Sequence, residues 1–508
     1  MVPFTHQGTG LASHSPLPAR IDRQVCGMLC AQAVEKLILA VCGIVLMRLL
    51  SPVDMGMMGL GLLLVGLLNS VGVGIETAAV QLRTPRDRRM LFSASLVRLM
   101  VGIVLFLLIV TASDPVVRFF AHTVVPHAVL KRVTRIVAVL LVTEALCCYP
   151  RVLLQRQLRF GPLAVAQDLS AACYSICAVV LAWQGYAYWS LVYALLASQA
   201  CLVFCLWTVA CRERLAPRWD YHAVRRLFAY GRHVSSAAIL AALTTKLGEL
   251  MVSRWFGTAA LGVYLTGSAW AKWTDLNVTN VVSRVLFPRY VQLSEEGERL
   301  RESVERALFY VYALVLPIIG VLALFVLDIT HTLLGSQWRV ISEPVKILSI
   351  AGMMGPFINL YGHALLASGR PELVQKYSKL HLMLFAGAVY PAAQIGGLFG
   401  VCWAAVLADL GVVVAVSQMG REVLGIQPHR AIRAIAAPLG SLIGAGGLAG
   451  LLRALCPVSN VSTLSLEVGC FLGMFIGILN VLTRGRVFRE AHALLRPVAA
   501  PSVSGTVA

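Results

Sequence analysis

Several ionisable side chains stand in the middle of apolar stretches, where an unpaired charge is costly and must find a partner or a watery cavity. The cations are Arg98, Lys246 and Lys272, with Lys36 nearer one end of its stretch. The acids at comparable depth are Glu144, Glu249, Asp275 and Asp409, while Glu35, Glu76 and Asp168 lie closer to stretch ends. Two kinds of chemistry suit such residues. Cationic donors in a water-filled cavity of low dielectric attract a multiply charged anion. A carboxylate exposed in turn to two aqueous sides takes up and releases a proton or sodium ion, because its affinity follows its surroundings. Lys246/Glu249 and Lys272/Asp275 are each spaced i, i+3, so each pair shares a helix face. Cross-pairing, Lys246 with Asp275 and Lys272 with Glu249, would instead clamp two neighbouring helices together. Asp409 has no basic neighbour in its own stretch, and His363 reads as a packing histidine. The 13 cysteines contain no C-x-x-C; pairs such as Cys173/Cys177 and Cys201/Cys205 share a helix face as small packing residues.

The elements that must position these residues are set by composition. Of 508 residues 58% are apolar and 13% charged, whereas soluble domains run roughly 45–50% and about 25%. The mean hydropathy is +0.78. A soluble enzyme, a disulfide-rich secreted domain, a disordered chain and a single-span receptor are all excluded, because the apolar excess runs the whole length. Residues Met1 to Arg23 lack the order of a signal peptide, so the first apolar stretch is expected to remain as a span. The spacing predicts an all-α integral membrane protein of fourteen helices, each of about 20 residues. They cover 29–50, 57–79, 90–112, 133–153, 162–184, 188–210, 233–256, 260–283, 305–327, 346–367, 379–397, 400–420, 431–453 and 463–483. The longest connections, 113–132, 212–232 and 285–304, are too short for a separate domain. Ser294–Arg306 mixes charges at helical spacing and reads as a solvated helix.

The net charge of +19, from 43 basic and 24 acidic residues, follows the same topology. With both termini cytoplasmic, thirty cations fall on the cytoplasmic side, nine outside and four within spans. That asymmetry is the positive-inside pattern, and it accounts for most of the basic excess without a nucleic-acid partner. An internal repeat adds organisation. Residues 48–61 align with 254–267 at an offset of 206, matching Arg48/Arg254, Gly56/Gly262 and Gly61/Gly267. Weaker echoes join 153–167 to 365–379. Two six-helix lobes related by an axis along the membrane normal are therefore expected. The expected divisions are a tail, 1–28; a first lobe, 29–211; an inter-lobe loop, 212–232; a second lobe, 233–425; two further helices, 426–484; and a tail, 485–508.

Four segments carry a family resemblance. Phe256–Tyr264 (FGTAALGVY), Val282–Arg289 (VSRVLFPR), Leu365–Pro371 (LLASGRP) and Pro150–Phe160 (PRVLLQRQLRF) resemble the signatures of the polysaccharide transporter family. Its members are bacterial oligosaccharide flippases similar to lipopolysaccharide O-unit and colanic acid exporters, within the multidrug/oligosaccharidyl-lipid/polysaccharide exporter superfamily. The resemblance spans roughly residues 30–425. It implies translocation of undecaprenyl-diphosphate-linked oligosaccharide across the bacterial cytoplasmic membrane by alternating access, with helices 1, 2, 7 and 8 around a central cavity. Lys36, Arg98, Lys246 and Lys272 then become candidates for the lipid diphosphate. Trp270 and Trp273, which flank Lys272, become candidates for stacking on sugars, core packing being their other possible role. Glu144, Glu249, Asp275 and Asp409 become candidates for ion coupling. One departure is visible: family members often carry an Asp-Asn pair in helix 7, but here the run is Lys246-Leu-Gly-Glu-Leu250. The carboxylate moves to Glu249, about 100° around the helix.

No cofactor or metal is expected. The dipeptide Gly-Lys never occurs, which excludes the phosphate-cradling loop of an ATP-driven pump. A membrane glycan polymerase or ligase would need a large catalytic outer loop. A multidrug exporter or a peptidoglycan-precursor flippase of the same superfamily is the nearer alternative. Expected partners are the lipid-linked glycan, the bilayer and polymer-export machinery.

Overall fold

The computed structural model describes residues 39, 41–82, 87–120, 126–157, 159–211, 219–294, 296–455 and 461–485. Among them the regular structure is helical, with no strand. A helix satisfies its backbone polar groups within one segment, which is what hydrocarbon demands. The α-helices are α1 (41–49), α2 (Pro52–Gln81), α3 (Asp87–Thr111), α4 (Ser113–Phe119), α5 (His127–Val137), α6 (Leu140–Leu146), α7 (Cys148–Arg156), α8 (Phe160–Trp183) and α9 (Tyr188–Ala210). Then follow α10 (Tyr221–Thr274), α11 (Asn280–Leu293), α12 (Gly297–Ile329), α13 (Ser342–Ala367), α14 (Pro371–Met419), α15 (Pro428–Leu455) and α16 (Val461–Leu482). Short π segments at Asp275–Thr279, Thr330–Leu334 and Gly420–Leu424 interrupt or end them.

Eleven helical stretches among the described residues are long and apolar enough to cross a membrane. Two of them, Tyr221–Leu293 and Pro371–Leu424, hold 73 and 54 residues, far beyond the need of one crossing. Each reverses at a glycine that leaves helical geometry, Gly257 (φ 79°) in α10 and Gly397 (φ 57°) in α14. The reversal brings Gly248 against the Tyr264 hydroxyl and Gly400 against the Ala392 carbonyl. A straight helix would hold those pairs roughly 24 Å and 12 Å apart. Connections expected as loops are largely helical instead. α10 begins at Tyr221, α11 runs to Leu293 and α12 starts at Gly297, while α4 and α5 occupy much of 113–132. Asp220 caps α10 by accepting from the Ala223 N–H at 3.0 Å, so the charged inter-lobe segment starts a helix.

Within lipid, burying apolar surface between helices has little hydrophobic drive, and close backbone approach at small residues takes its place. α2 shows this along its length. Ser51 and Asp54 close a capping box at its start, with Pro52 at the first helical position. Beside it Gly56 and Gly262 meet: a Cβ on Gly56 would overlap the Thr258 carbonyl, and one on Gly262 would overlap the Pro52 carbonyl. At the other end of α2, Gly74 meets Gly231, the Ser235 hydroxyl donates to the Val71 carbonyl at 2.7 Å, and the Tyr230 hydroxyl bonds Gln81. α2 and α10 thus share the most extensive contact between any two elements, closed at both ends. Trp338, fully buried, adds to the Pro52 end by donating its indole N–H to the Met47 and Leu50 carbonyls. α15 and α16 pack on α12, where Phe471 meets Phe325 at 6.0 Å. Outward-facing Phe204, Ile395 and Leu466 stay exposed, as a lipid-facing surface requires.

Candidate functional site

The mid-helix charges gather into two groups. In the first, Arg98 of α3 is 1% exposed and its Nε donates to Glu76 Oε1 of α2 at 3.1 Å. Its guanidinium also bonds Asn69 and lies in the space left by Gly72. Glu76 Oε2 is shared with Arg151 of α7 at 3.5 Å, and Arg151 reaches Glu144 of α6 at 3.0 Å. Gln199 of α9 completes the chain by donating to Glu144 at 3.2 Å. Two arginines and two glutamates alternate, so the group is charge-balanced and ties α2, α3, α6, α7 and α9 together. Arg98 is thereby bonded to protein partners through Nε and Nη2, while its Nη1 is buried without a partner, and Glu144 is held by Arg151.

The second group lies in and around α10. Lys246 Nζ donates to both oxygens of Glu249, at 2.7 and 2.8 Å, one turn along the same helix. The cross-helix alternative, Lys246 with Asp275 and Lys272 with Glu249, is not formed. His381 Nε2 stands 3.1 Å from Asp409 Oδ1 across the α14 hairpin, and the His381 ring stacks on Phe385. Tyr264, close over Gly248, lies within electrostatic reach of Glu249 and Asp409. The absence of a Cβ at position 248, where the family pattern has a carboxylate, makes room for that phenol.

Lys272 is exposed and in no ion pair among the described residues. Trp273 beside it is 47% exposed, whereas Trp270 packs into the cluster around Trp338. The two indoles therefore face different surroundings. Asp275 stands in the π segment against Gly355 of α13. His363 bonds the Asn359 carbonyl through Nδ1 at 2.9 Å, the satisfied packing role expected of it. Lys36 and Glu35 lie outside the described residues. The residues that sequence reasoning passed over are Glu76 as a bridge, Arg151 and His381. Each owes its role to partners far away in the chain.

A family model described as polysaccharide biosynthesis protein matches residues 45–343. The teichuronic acid biosynthesis protein TuaB of Bacillus subtilis is 24% identical over 340 residues, 65% of this chain and 68% of that protein. The succinoglycan biosynthesis transport protein ExoT of Rhizobium meliloti is 24% identical over 317 residues, 61% and 62% of the two chains. The lipopolysaccharide biosynthesis protein WzxC of Escherichia coli is 23% identical over 197 residues, 39% and 40%. Alignment to these relatives thus spans between two fifths and about two thirds of their lengths. Among solved structures, the lipid II flippase MurJ in an inward closed conformation superposes with a TM-score of 0.73 at 12% identity, covering 90% of this chain and 99% of that one. An inward-facing multidrug resistance MATE family transporter of the MOP superfamily gives 0.59 at 15% identity, covering 76% and 94%. At such identities the likeness is one of fold.

Proposed function

The chain belongs to the polysaccharide biosynthesis protein family, and from that premise we propose that it flips undecaprenyl-diphosphate-linked oligosaccharide across the bacterial cytoplasmic membrane. The observation that carries this reading is the coincidence of that family with a flippase backbone over nine tenths of the chain. A glycan on a lipid carrier leaves its polyprenyl tail in hydrocarbon, so the protein has only to shield the sugars and neutralise the diphosphate. Lys272, exposed beside Trp273, suits that contact best; Lys246 takes part through its exposed side while bonded to Glu249. Lys36, Arg98 and Trp270 complete the proposed set, with Arg98 acting through the Glu76 network.

Transport proceeds by alternating access between two six-helix lobes, 29–211 and 233–425. Counting each hairpin helix as two crossings and adding the span expected at 29–50 supports a total of fourteen, an even number that puts both termini on one side, the cytoplasmic one by the loop charges. Support for the two-fold comes from the α2–α10 contact. Gly56 against Thr258 and Gly262 against Pro52 are the same contact written twice at the repeat offset of 206. Coupling to an ion falls to Glu144, Glu249, Asp275 or Asp409, and a polymerase or export complex consumes the product.

Deletion in the native host tests the reading. Undecaprenyl-linked repeat units should accumulate on the cytoplasmic side and return to normal on complementation. Unimpaired polymer export in a strain without a compensating homologue would overturn it.

A further inference from the structure

Of the four mid-membrane carboxylates, three face a basic side chain: Glu144 pairs with Arg151, Glu249 with Lys246, and Asp409 Oδ1 stands 3.1 Å from His381 Nε2. Among the described residues Asp275 has no such partner, and its Oδ1 is buried without a hydrogen bond. It is not alone. The hydroxyls of Thr274 and Thr279, both on fully buried residues, likewise make no hydrogen bond of good geometry, although Thr279 stands close enough to act on the Asp275 carboxylate. Three oxygen atoms left unsatisfied within six residues are an anomaly in a membrane interior, where each such group is costly.

The backbone explains why they are together. Asp275–Thr279 is a π segment in which the Asn280 N–H bonds the Asp275 carbonyl five residues back. Widening the turn sets Thr274 and Thr279 about one turn apart along the same stretch. Facing Asp275, Gly355 of α13 has no side chain: a Cβ there would come within 3.2 Å of the Asp275 carboxyl carbon. Lys272 and His363 are the basic groups within electrostatic reach of Asp275, and Asp409 and Tyr312 are the other titratable ones. Tyr312 is committed to the Met353 carbonyl at 2.7 Å, and Lys272 is exposed.

We propose that Asp275, Thr274 and Thr279 form a binding site for one sodium ion. The donor set is all oxygen, one carboxylate with two hydroxyls, which suits a small hard cation. A helix broken at mid-membrane is a recurrent place for such an ion. The site deepens the coupling role proposed above and rests on it only for its purpose, since binding can be measured without any glycan.

The test uses the full-length protein purified in nanodiscs, with sodium chloride and potassium chloride compared at equal ionic strength and pH. Wild type should bind one radioactive sodium ion per chain and unfold at higher temperature in sodium than in potassium. Asp275→Asn should lower sodium affinity by at least about tenfold, and Thr279→Val should abolish most of the sodium-dependent shift. If Asp275→Asn fails to fold, Thr274→Val and Thr279→Val, which keep side-chain shape, carry the test. Equal sodium binding in wild type and in both threonine variants overturns the site. So does the absence of any sodium–potassium difference, or a shift that follows pH alone, which would assign the position to a proton. A sodium effect present in wild type and lost in the variants, together with polymer export intact in the deletion strain, refutes the flippase reading and leaves the site standing. Accumulated precursor without sodium binding does the reverse.

Discussion

Removing the Glu76 carboxylate strands a guanidinium that is almost wholly inside the protein. Glu76→Ala should destabilise the chain by about 3–5 kcal/mol, the usual penalty for breaking a buried ion pair from one side. Denaturant or thermal unfolding in detergent reads it, and Arg98→Lys should not be neutral, because a lysine cannot serve Glu76 and Asn69 together. The two candidate lysines separate by the same logic. Lys246→Ala leaves Glu249, 12% exposed, without its cation and should lower both stability and export. Lys272→Ala, an exposed side chain with no ion pair among the described residues, should lower export at unchanged unfolding temperature. Equal loss of stability in both would show that Lys272 serves the fold. Sequence alone identified these charges because a charge inside an apolar run is conspicuous at any distance from its partners. It could not supply the partners: Glu76 and Arg151 are 75 residues apart, and His381 is a lone ring on an apolar stretch until Asp409 folds back against it.

At the scale of helices, glycine positions decide what can approach. Gly56→Ala or Gly262→Ala places a methyl less than 2 Å from a backbone carbonyl that cannot rotate away, so α2 and α10 must separate at that end. Reduced folded yield and looser protease protection at the Pro52 end are expected. Gly447→Ala in α15 meets nothing within 4 Å and should be neutral or stabilise by up to about 1 kcal/mol. The pair is a controlled comparison for thermal unfolding. Helix interiors were readable from apolar runs, and the hairpin breaks near 257 and 397 fell close to where the spans were divided. The connections were not readable in that way, because charged segments such as 221–232 fold as amphipathic continuations of a span once a cap and a neighbouring helix hold them. The π segment at Asp275 has no sequence signature; it lies where α10 and α11 pack on α13.

At the scale of the whole chain, the proposed alternating access makes a demand on the contacts at both ends of α2: either side would open only by breaking a set of small-residue contacts. Joining Gln81→Cys to Tyr230→Cys by a disulfide in a cysteine-free background should arrest flipping, with recovery on reduction. Transport that continues at full rate in the oxidised protein would exclude movement at that end. The glycine contact at the Pro52 end has another consequence. A surface in which residue i touches j of the second half, while j of the first touches i of the second, obeys the contact rule of a two-fold homodimer. On the proposed relation of the two lobes, the chain is in that respect a dimer made covalent. Its first half still displays a surface shaped for its own duplicate, so a fragment ending before the inter-lobe segment should pair with itself.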